Sequence, residues 1–123
     1  MVPSGQWRVF AAVAAGGATG ALARYGVGLS LPWPMATFAI NVAGCFLIGV
    51  VIVLLGERHP LARPFLTTGV LGGFTTFSTY SVDAQQLLLA GRYVEAGGYV
   101  AGTLLAAVLA TWLGIRVAER GRA

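Results

Sequence analysis

The run GVLGGFTTFSTY, residues 69–80, interrupts what would otherwise be a long apolar helix. Its three glycines lose backbone entropy in a helix interior, and its threonines and serine compete with the helix for backbone hydrogen bonds. At bilayer depth such a break is tolerated only where other protein or a water-filled cavity satisfies the freed amide and carbonyl groups. The run therefore predicts a pore or a binding site, with a glycine kink used only for packing as the alternative.

The composition around this run is that of a membrane protein. Of 123 residues, 57% are hydrophobic and only 10% are charged, and the mean hydropathy is +0.79. These values lie outside the range of ordinary soluble domains. We therefore expect an all-α integral membrane protein whose single domain covers residues 1–123. Its eight basic residues are arginines spread over the chain, so we expect no nucleic-acid partner.

Four apolar spans follow one another along the chain, each long enough to cross about 30 Å of hydrocarbon at about 1.5 Å per residue. We place the helices at residues 7–31, 36–55, 64–90 and 96–117, with the third broken at 72–79. The first helix carries Gly16, Gly20 and Gly28 on one face, which predicts close packing against another helix.

An even number of spans places both chain termini on the same side of the membrane. Arginines on that side outnumber those on the other by six to two. The six are Arg8, Arg58, Arg63, Arg116, Arg120 and Arg122, and the two are Arg24 and Arg92. By the positive-inside rule, we expect cytoplasmic termini and a location in the plasma (inner) membrane.

A few polar side chains lie inside the spans, where each needs a partner or a wet cavity. Arg24 is either an interfacial anchor or a vestibule residue that attracts anions. Asn41 is either interhelical glue or a ligand contact. The last span carries a polar stripe of Tyr99, Thr103 and Thr111, interrupted at Ala107. This stripe either serves helix packing or lines a path.

Three stretches, in order within a four-span chain, carry a resemblance to a known family. They are GGATGALARY at 16–25, TFAINVAGCFLIG at 37–49 and the break at 69–80. With them, the chain resembles the Fluc (CrcB) fluoride channels over nearly its whole length. The resemblance implies an antiparallel dimer with two narrow fluoride pores, passive export of cytoplasmic fluoride, and a structural sodium ion at the dimer interface.

The resemblance also implies the roles of individual residues, position by position. The implied fluoride pore is lined by Asn41, Phe77, Thr79, Tyr80, Tyr99, Thr103 and Thr111. The implied vestibule residues are Arg24 and Asp83, near the pore mouths. The implied sodium ligands are the backbone carbonyls of Gly72 and Thr75.

Two positions depart from the pattern that the resemblance implies. Tyr80 stands where the family has the second phenylalanine of its pore-lining aromatic pair, and Ala107 stands where the polar track has a hydroxyl. Either departure would alter permeation or leave one pore of a pair non-conducting. The chain could then be a non-conducting assembly subunit of a heterodimeric channel.

Two other classes of function compete with a channel. A small four-span cation or drug exporter needs a membrane-embedded carboxylate, and none is evident because Asp83 lies beyond the break. An intramembrane enzyme is disfavoured, since no serine nucleophile pairs with a histidine at bilayer depth.

The arginine distribution bears on the partner. Opposed copies of one chain require insertion in both directions, whereas six arginines against two predict a fixed direction. The partner is therefore either a second copy, as the resemblance implies, or an inverted paralogue.

Overall fold

The computed structural model describes residues 4–56 and 59–122, and every regular element within them is a helix. Helix α1 covers Ser4–Ser30 and α2 covers Met35–Leu55. Helix α3 covers residues 62–74 in three consecutive pieces, Ala62–Pro64, the wider π-helical Phe65–Leu71, and Gly72–Phe74. Helices α4 and α5 cover Phe77–Leu89 and Tyr93–Arg122. The all-α class is therefore confirmed, with α3 and α4 as the two halves of the third predicted span.

Two segments within these ranges, Met35–Leu55 and Tyr93–Gly121, are long and apolar enough to cross a membrane by length and composition. Much of their apolar surface faces outward, as exposed Leu105 and Val108 on α5 illustrate. An outward-facing apolar surface suits lipid or a partner rather than water. Together with the composition, these helices indicate a membrane protein.

The break is shorter than the predicted 72–79. Only Thr75 and Thr76 are extended, with φ and ψ of −79° and 157° at Thr75 and −148° and 118° at Thr76. The prediction was too wide because a hydroxyl beside a break can cap a helix as well as unwind one. The Thr76 side chain accepts a hydrogen bond from the Thr79 amide at 3.1 Å and so starts α4 at once.

The last helix also extends beyond its predicted bounds of 96–117. It begins at Tyr93 and ends at Arg122. Gly91, with φ of 76°, makes the turn after α4, and Arg92 forms an ion pair with Glu95 in the first turn of α5. A carboxylate there interacts favourably with the helix dipole, which explains the earlier start.

Helix α1 packs closely on α3 through glycines. A Cβ on Gly69 would lie 2.9 Å from the Cα of Gly16, and one on Gly20 would lie 2.8 Å from the amide nitrogen of Phe74. Real side chains do not approach so closely, so only glycine allows this contact between the two backbones. The predicted packing face is present at Gly16 and Gly20 but does not extend to Gly28, which has open space beside it.

Helices α2 and α5 form the second close pair. A Cβ on Gly49 would lie 3.0 Å from the amide nitrogen of Ile115, and one on Gly114 would lie 3.2 Å from the amide nitrogen of Val50. Nearer the start of α2, Asn41 lies beside the break between α3 and α4, where it is hydrogen-bonded to Thr76.

Candidate functional site

Both the nitrogen and the oxygen of the Asn41 side-chain amide form hydrogen bonds with the backbone at the break. Its Nδ2 donates to the backbone carbonyl of Thr76 at 3.0 Å, and its Oδ1 accepts from the backbone amide of Thr76 at 2.8 Å. The side chain therefore satisfies both backbone groups of Thr76, one of the two extended residues. An Asn amide nitrogen carries two N–H groups, and the second has no partner among the described residues. Asn41 thus acts as interhelical glue and still has one donor to offer.

Arg24 caps the carboxyl end of α3. Its Nε donates to the carbonyl oxygen of Gly73 at 3.0 Å, and its side chain is partly buried. The last carbonyls of a helix have no partner within that helix, and a cation is favourable at this end of the helix dipole. Arg24 therefore joins α1 to the break.

The carbonyl oxygens at the break differ in whether they have a hydrogen-bond partner. The Leu71 oxygen accepts from the amide and hydroxyl of Thr75, at 2.9 Å and 3.0 Å. Within residues 4–56 and 59–122, by contrast, no hydrogen bond reaches the carbonyl of Gly72 or of Thr75 itself. Free carbonyls at the end of a half-helix are the oxygen ligands with which broken helices hold sodium. The two residues implied as sodium ligands therefore fit that ion.

A cleft of about 290 Å³ opens along the break between α2, α3, α4 and α5. It contains six of the predicted site residues together with apolar side chains of the surrounding helices. The six are Asn41, Gly72, Thr75, Phe77, Tyr80 and Thr103, and Ala107 lines it as well. The structure thus brings the implied sodium carbonyls and four of the seven implied pore residues to one place.

Thr103 is the most unusual polar group in this cleft. Its side chain is only 4% exposed, and its hydroxyl has no hydrogen-bond partner in the described part of the chain. An unsatisfied buried hydroxyl costs about 1–3 kcal/mol, so such groups are rare in native proteins. Its position in the cleft indicates a donor or acceptor that a bound ligand would satisfy.

Two aromatic rings line the cleft. Phe77 is 77% exposed, whereas Tyr80 is buried and donates its hydroxyl hydrogen to the Val100 carbonyl at 2.7 Å. Their ring centroids lie 5.8 Å apart. The Tyr80 hydroxyl is therefore engaged with α5 and does not point freely into the cleft, so it occupies the position of a phenylalanine without adding a free polar group.

Asp83, for which the resemblance implies a position near a pore mouth, is buried, with an exposed fraction of 4%. One carboxylate oxygen accepts from the Trp33 indole nitrogen at 2.8 Å, and the other accepts from the Tyr99 hydroxyl at 3.2 Å. Arg92 lies over the Trp33 ring at 5.9 Å from its centroid and pairs with Glu95. Accepting a hydrogen bond from Arg92, Glu95 raises the pKa of that guanidinium. Both oxygens of Asp83 thus have uncharged donors.

The predicted polar stripe on α5 divides into separate environments. Tyr99 donates a hydrogen bond to Asp83, and its ring lies tilted against that of Tyr80 at 5.3 Å between centroids, while Thr103 lines the cleft. The Thr111 hydroxyl donates to the Ala107 carbonyl of its own helix at 2.9 Å. Twelve residues of a helix rotate a side chain by about 120°, so the stripe spirals away from one face. Thr79 also lies outside the cleft lining, and its amide is bound to Thr76.

Two residues of this arrangement escaped the sequence reasoning. Thr76 is the partner of Asn41 and the cap of α4, and Trp33 is the donor to Asp83. An isolated asparagine in an apolar span signals that some partner exists, without indicating which. No sequence signal pairs Trp33 with a carboxylate fifty positions away.

Comparison with known proteins places this arrangement in a family. The model of the family described as "CrcB-like protein, Camphor Resistance (CrcB)" matches residues 11–115. The chain is 48% identical to Fluoride-specific ion channel FluC 1 of Streptomyces coelicolor, over 93% of this chain and 82% of that protein. It is 47% identical to FluC 2 of Nocardia farcinica, over 90% and 85% respectively, and 41% identical to FluC of Chloroflexus aurantiacus, over 85% and 90%. On a match that extends over most of its length, the chain belongs to the CrcB family.

Proposed function

We propose that the chain forms a passive, fluoride-selective channel that exports cytoplasmic fluoride across the plasma membrane. Membership of the CrcB family makes it a member of an ion-channel family and not an enzyme, and its relatives carry the name fluoride-specific ion channel. Hydrogen fluoride enters cells as a neutral acid and dissociates in the more alkaline cytoplasm. The anion left behind does not cross lipid unaided, so a passive path removes it.

The observation that carries this proposal is the cleft beside the break. It offers the second amide N–H of Asn41, the unpartnered hydroxyl of Thr103 and the exposed Phe77 ring. Fluoride is small and strongly hydrated, so a path must replace its water with closely placed donors. Amide and hydroxyl groups are such donors, and the edge of an aromatic ring carries positive quadrupole charge. Chloride is larger and would match neither the width nor the donors.

The implied sodium ion would be held by Gly72 and Thr75. Their carbonyl oxygens accept no hydrogen bond among the described residues, which supports a cation site at the end of α3. One chain offers two such oxygens, and two chains that cross at their breaks would offer four. The ion would serve structure by neutralising these carbonyl dipoles where the subunits meet.

In an antiparallel dimer, the partner subunit would close the open side of the cleft beside the break. The cleft is open on one side, and Phe77 and Leu104 beside it are exposed apolar side chains, as a subunit interface requires. The partner is a second copy of the chain or an inverted paralogue. Named paralogues occur among the relatives, since Streptomyces avermitilis has both FluC 2 and FluC 3.

Labelling a C-terminal tag from each side of the membrane separates these two partners. A chain that pairs with itself in opposed orientation would be labelled equally from both sides. Labelling from the cytoplasmic side alone, as the arginine distribution predicts, would favour an inverted paralogue.

Growth in fluoride tests the proposed function in cells. Expression of the chain in bacteria that lack their own fluoride exporter should restore growth in fluoride medium, whereas Asn41→Asp should not. Immunodetection in the membrane fraction controls for expression of both. If the wild-type chain is present in the membrane and growth is not restored, the chain alone does not export fluoride. Restoration only on co-expression with a paralogue would identify it as an assembly subunit.

A cation or drug exporter differs from a channel in needing a membrane-embedded carboxylate that exchanges protons. Asp83 is buried, as such a mechanism requires, but the hydrogen bonds from Trp33 and Tyr99 occupy both of its oxygens. A proton-coupled exporter would move a cationic dye out of proteoliposomes on a pH gradient. We expect no such movement from the purified protein.

A further inference from the structure

We infer that Trp33 is a positioning residue for the anion path. It acts through Asp83 and Tyr99 on the aromatic wall of the cleft, which is formed by Phe77 and Tyr80. This inference rests on the proposed function and adds a residue to it. Trp33 lies in the turn between α1 and α2 and does not line the cleft. Any influence on the path must therefore pass through the groups that it holds.

The first step of the connection is a pair of hydrogen bonds on one buried carboxylate. The Trp33 indole N–H donates to Asp83 Oδ1 at 2.8 Å, and the Tyr99 hydroxyl donates to Asp83 Oδ2 at 3.2 Å. A carboxylate that is only 4% exposed needs both donors to offset its lost hydration. Arg92 does not replace them, because it pairs with Glu95 and meets only the face of the indole ring. Loss of the Trp33 donor would therefore release the carboxylate from its present position.

The second step runs from Tyr99 to the cleft. The Tyr99 ring lies 5.3 Å from the Tyr80 ring between centroids, and Tyr80 lies 5.8 Å from Phe77. Tyr80 and Phe77 both line the cleft, whereas Tyr99 does not. An Asp83 carboxylate held by Trp33 orients the Tyr99 hydroxyl, and the Tyr99 ring, together with the hydrogen bond from Tyr80 to Val100, sets the place of Tyr80. The aromatic wall is thus set in part by a donor that lies outside the cleft.

Trp33→Phe removes the N–H donor and keeps an aromatic ring beneath Arg92. The matched control is Trp112→Phe, because Trp112 is also half exposed and also lies under an arginine, with Arg116 at 5.5 Å from its ring centroid. The indole nitrogen of Trp112 has no hydrogen bond among the described residues. Removing a hydrogen bond to a charged group shifts a conformational equilibrium by about tenfold or more. We expect fluoride efflux from proteoliposomes to fall by a similar factor in Trp33→Phe and to be unchanged in Trp112→Phe.

A double-mutant cycle separates positioning from a general loss of structure. If Trp33 acts through Tyr99, Trp33→Phe should slow efflux no further in a Tyr99→Phe background, since the connection is already cut. Asp83→Leu removes both acceptor oxygens and therefore both hydrogen bonds, so its efflux should match that of Tyr99→Phe. All rates are compared per assembled protein, as measured by size-exclusion chromatography.

Each outcome of this cycle decides the inference. Non-additive losses support it, and the match of Asp83→Leu to Tyr99→Phe supports it even where Trp33→Phe assembles poorly. Additive losses, or normal efflux through assembled Trp33→Phe, would overturn the inference and leave the proposed function intact. Absence of fluoride efflux from the wild-type protein would overturn the proposed function and this inference with it.

Discussion

The strongest perturbation of the site is Asn41→Asp, which replaces the side-chain amide by a carboxylate and so adds a negative charge. The Asn41 Nδ2 donates to the Thr76 carbonyl at 3.0 Å, and a carboxylate in its place would set two oxygens against each other. The bond from the Thr76 amide at 2.8 Å would survive. Loss of the first bond leaves a backbone carbonyl unsatisfied, at a cost of about 1–3 kcal/mol.

The added charge acts directly on the permeating anion. Two unit charges about 4 Å apart repel by about 4 kcal/mol at an effective dielectric constant of about 20. Because each 1.36 kcal/mol corresponds to about tenfold in rate, repulsion alone predicts a fall of about a thousandfold. We therefore expect Asn41→Asp to abolish measurable fluoride efflux from proteoliposomes.

Two further variants separate the causes of this loss. Asn41→Ala removes both hydrogen bonds without adding a charge, so it should slow efflux less than Asn41→Asp does. Gln85→Glu makes the same change of charge at an exposed position of α4 and should leave efflux unchanged. Efflux at the wild-type rate through assembled Asn41→Asp would refute the assigned role of Asn41.

Three other expectations concern the cleft and the break. Phe77→Ile should slow fluoride efflux while the dimer still assembles on size-exclusion chromatography, because the exposed ring contributes little to folding. Thr103→Val should also slow efflux. It should nevertheless raise the free energy of unfolding by about 1 kcal/mol, because it removes a buried unsatisfied hydroxyl. A drop in thermal stability would show that this hydroxyl has a structural partner. Replacing sodium by a large organic cation should lower the thermal stability of the assembled protein, through the free carbonyls of Gly72 and Thr75. Identical melting in both media would argue against a sodium site.

The existence of the break was predictable because glycine and hydroxyl residues in an apolar span have few other uses. Its length was not, since Thr76 caps α4 by accepting from Thr79 and so confines the extended backbone to two residues. Propensity indicates that a helix is weak at a position, whereas side-chain geometry decides where the next helix starts.

The polar residues illustrate a second limit of the sequence. Asn41 in an apolar helix had to find a partner, and it does so at the break. The resemblance implied a vestibule role for Asp83, and nothing in its sequence surroundings indicated that Trp33, from another part of the chain, binds it. Contacts between distant segments depend on how helices pack, and one-dimensional spacing does not contain that information.

Fluoride and chloride efflux from the same proteoliposomes, followed with ion-selective electrodes on the purified protein, tests the channel directly. A cleft built from an asparagine amide, a buried threonine hydroxyl and an aromatic edge predicts rapid fluoride efflux with no chloride efflux above that of empty liposomes. Equal movement of both anions, or of neither, would contradict a fluoride-selective path at the break.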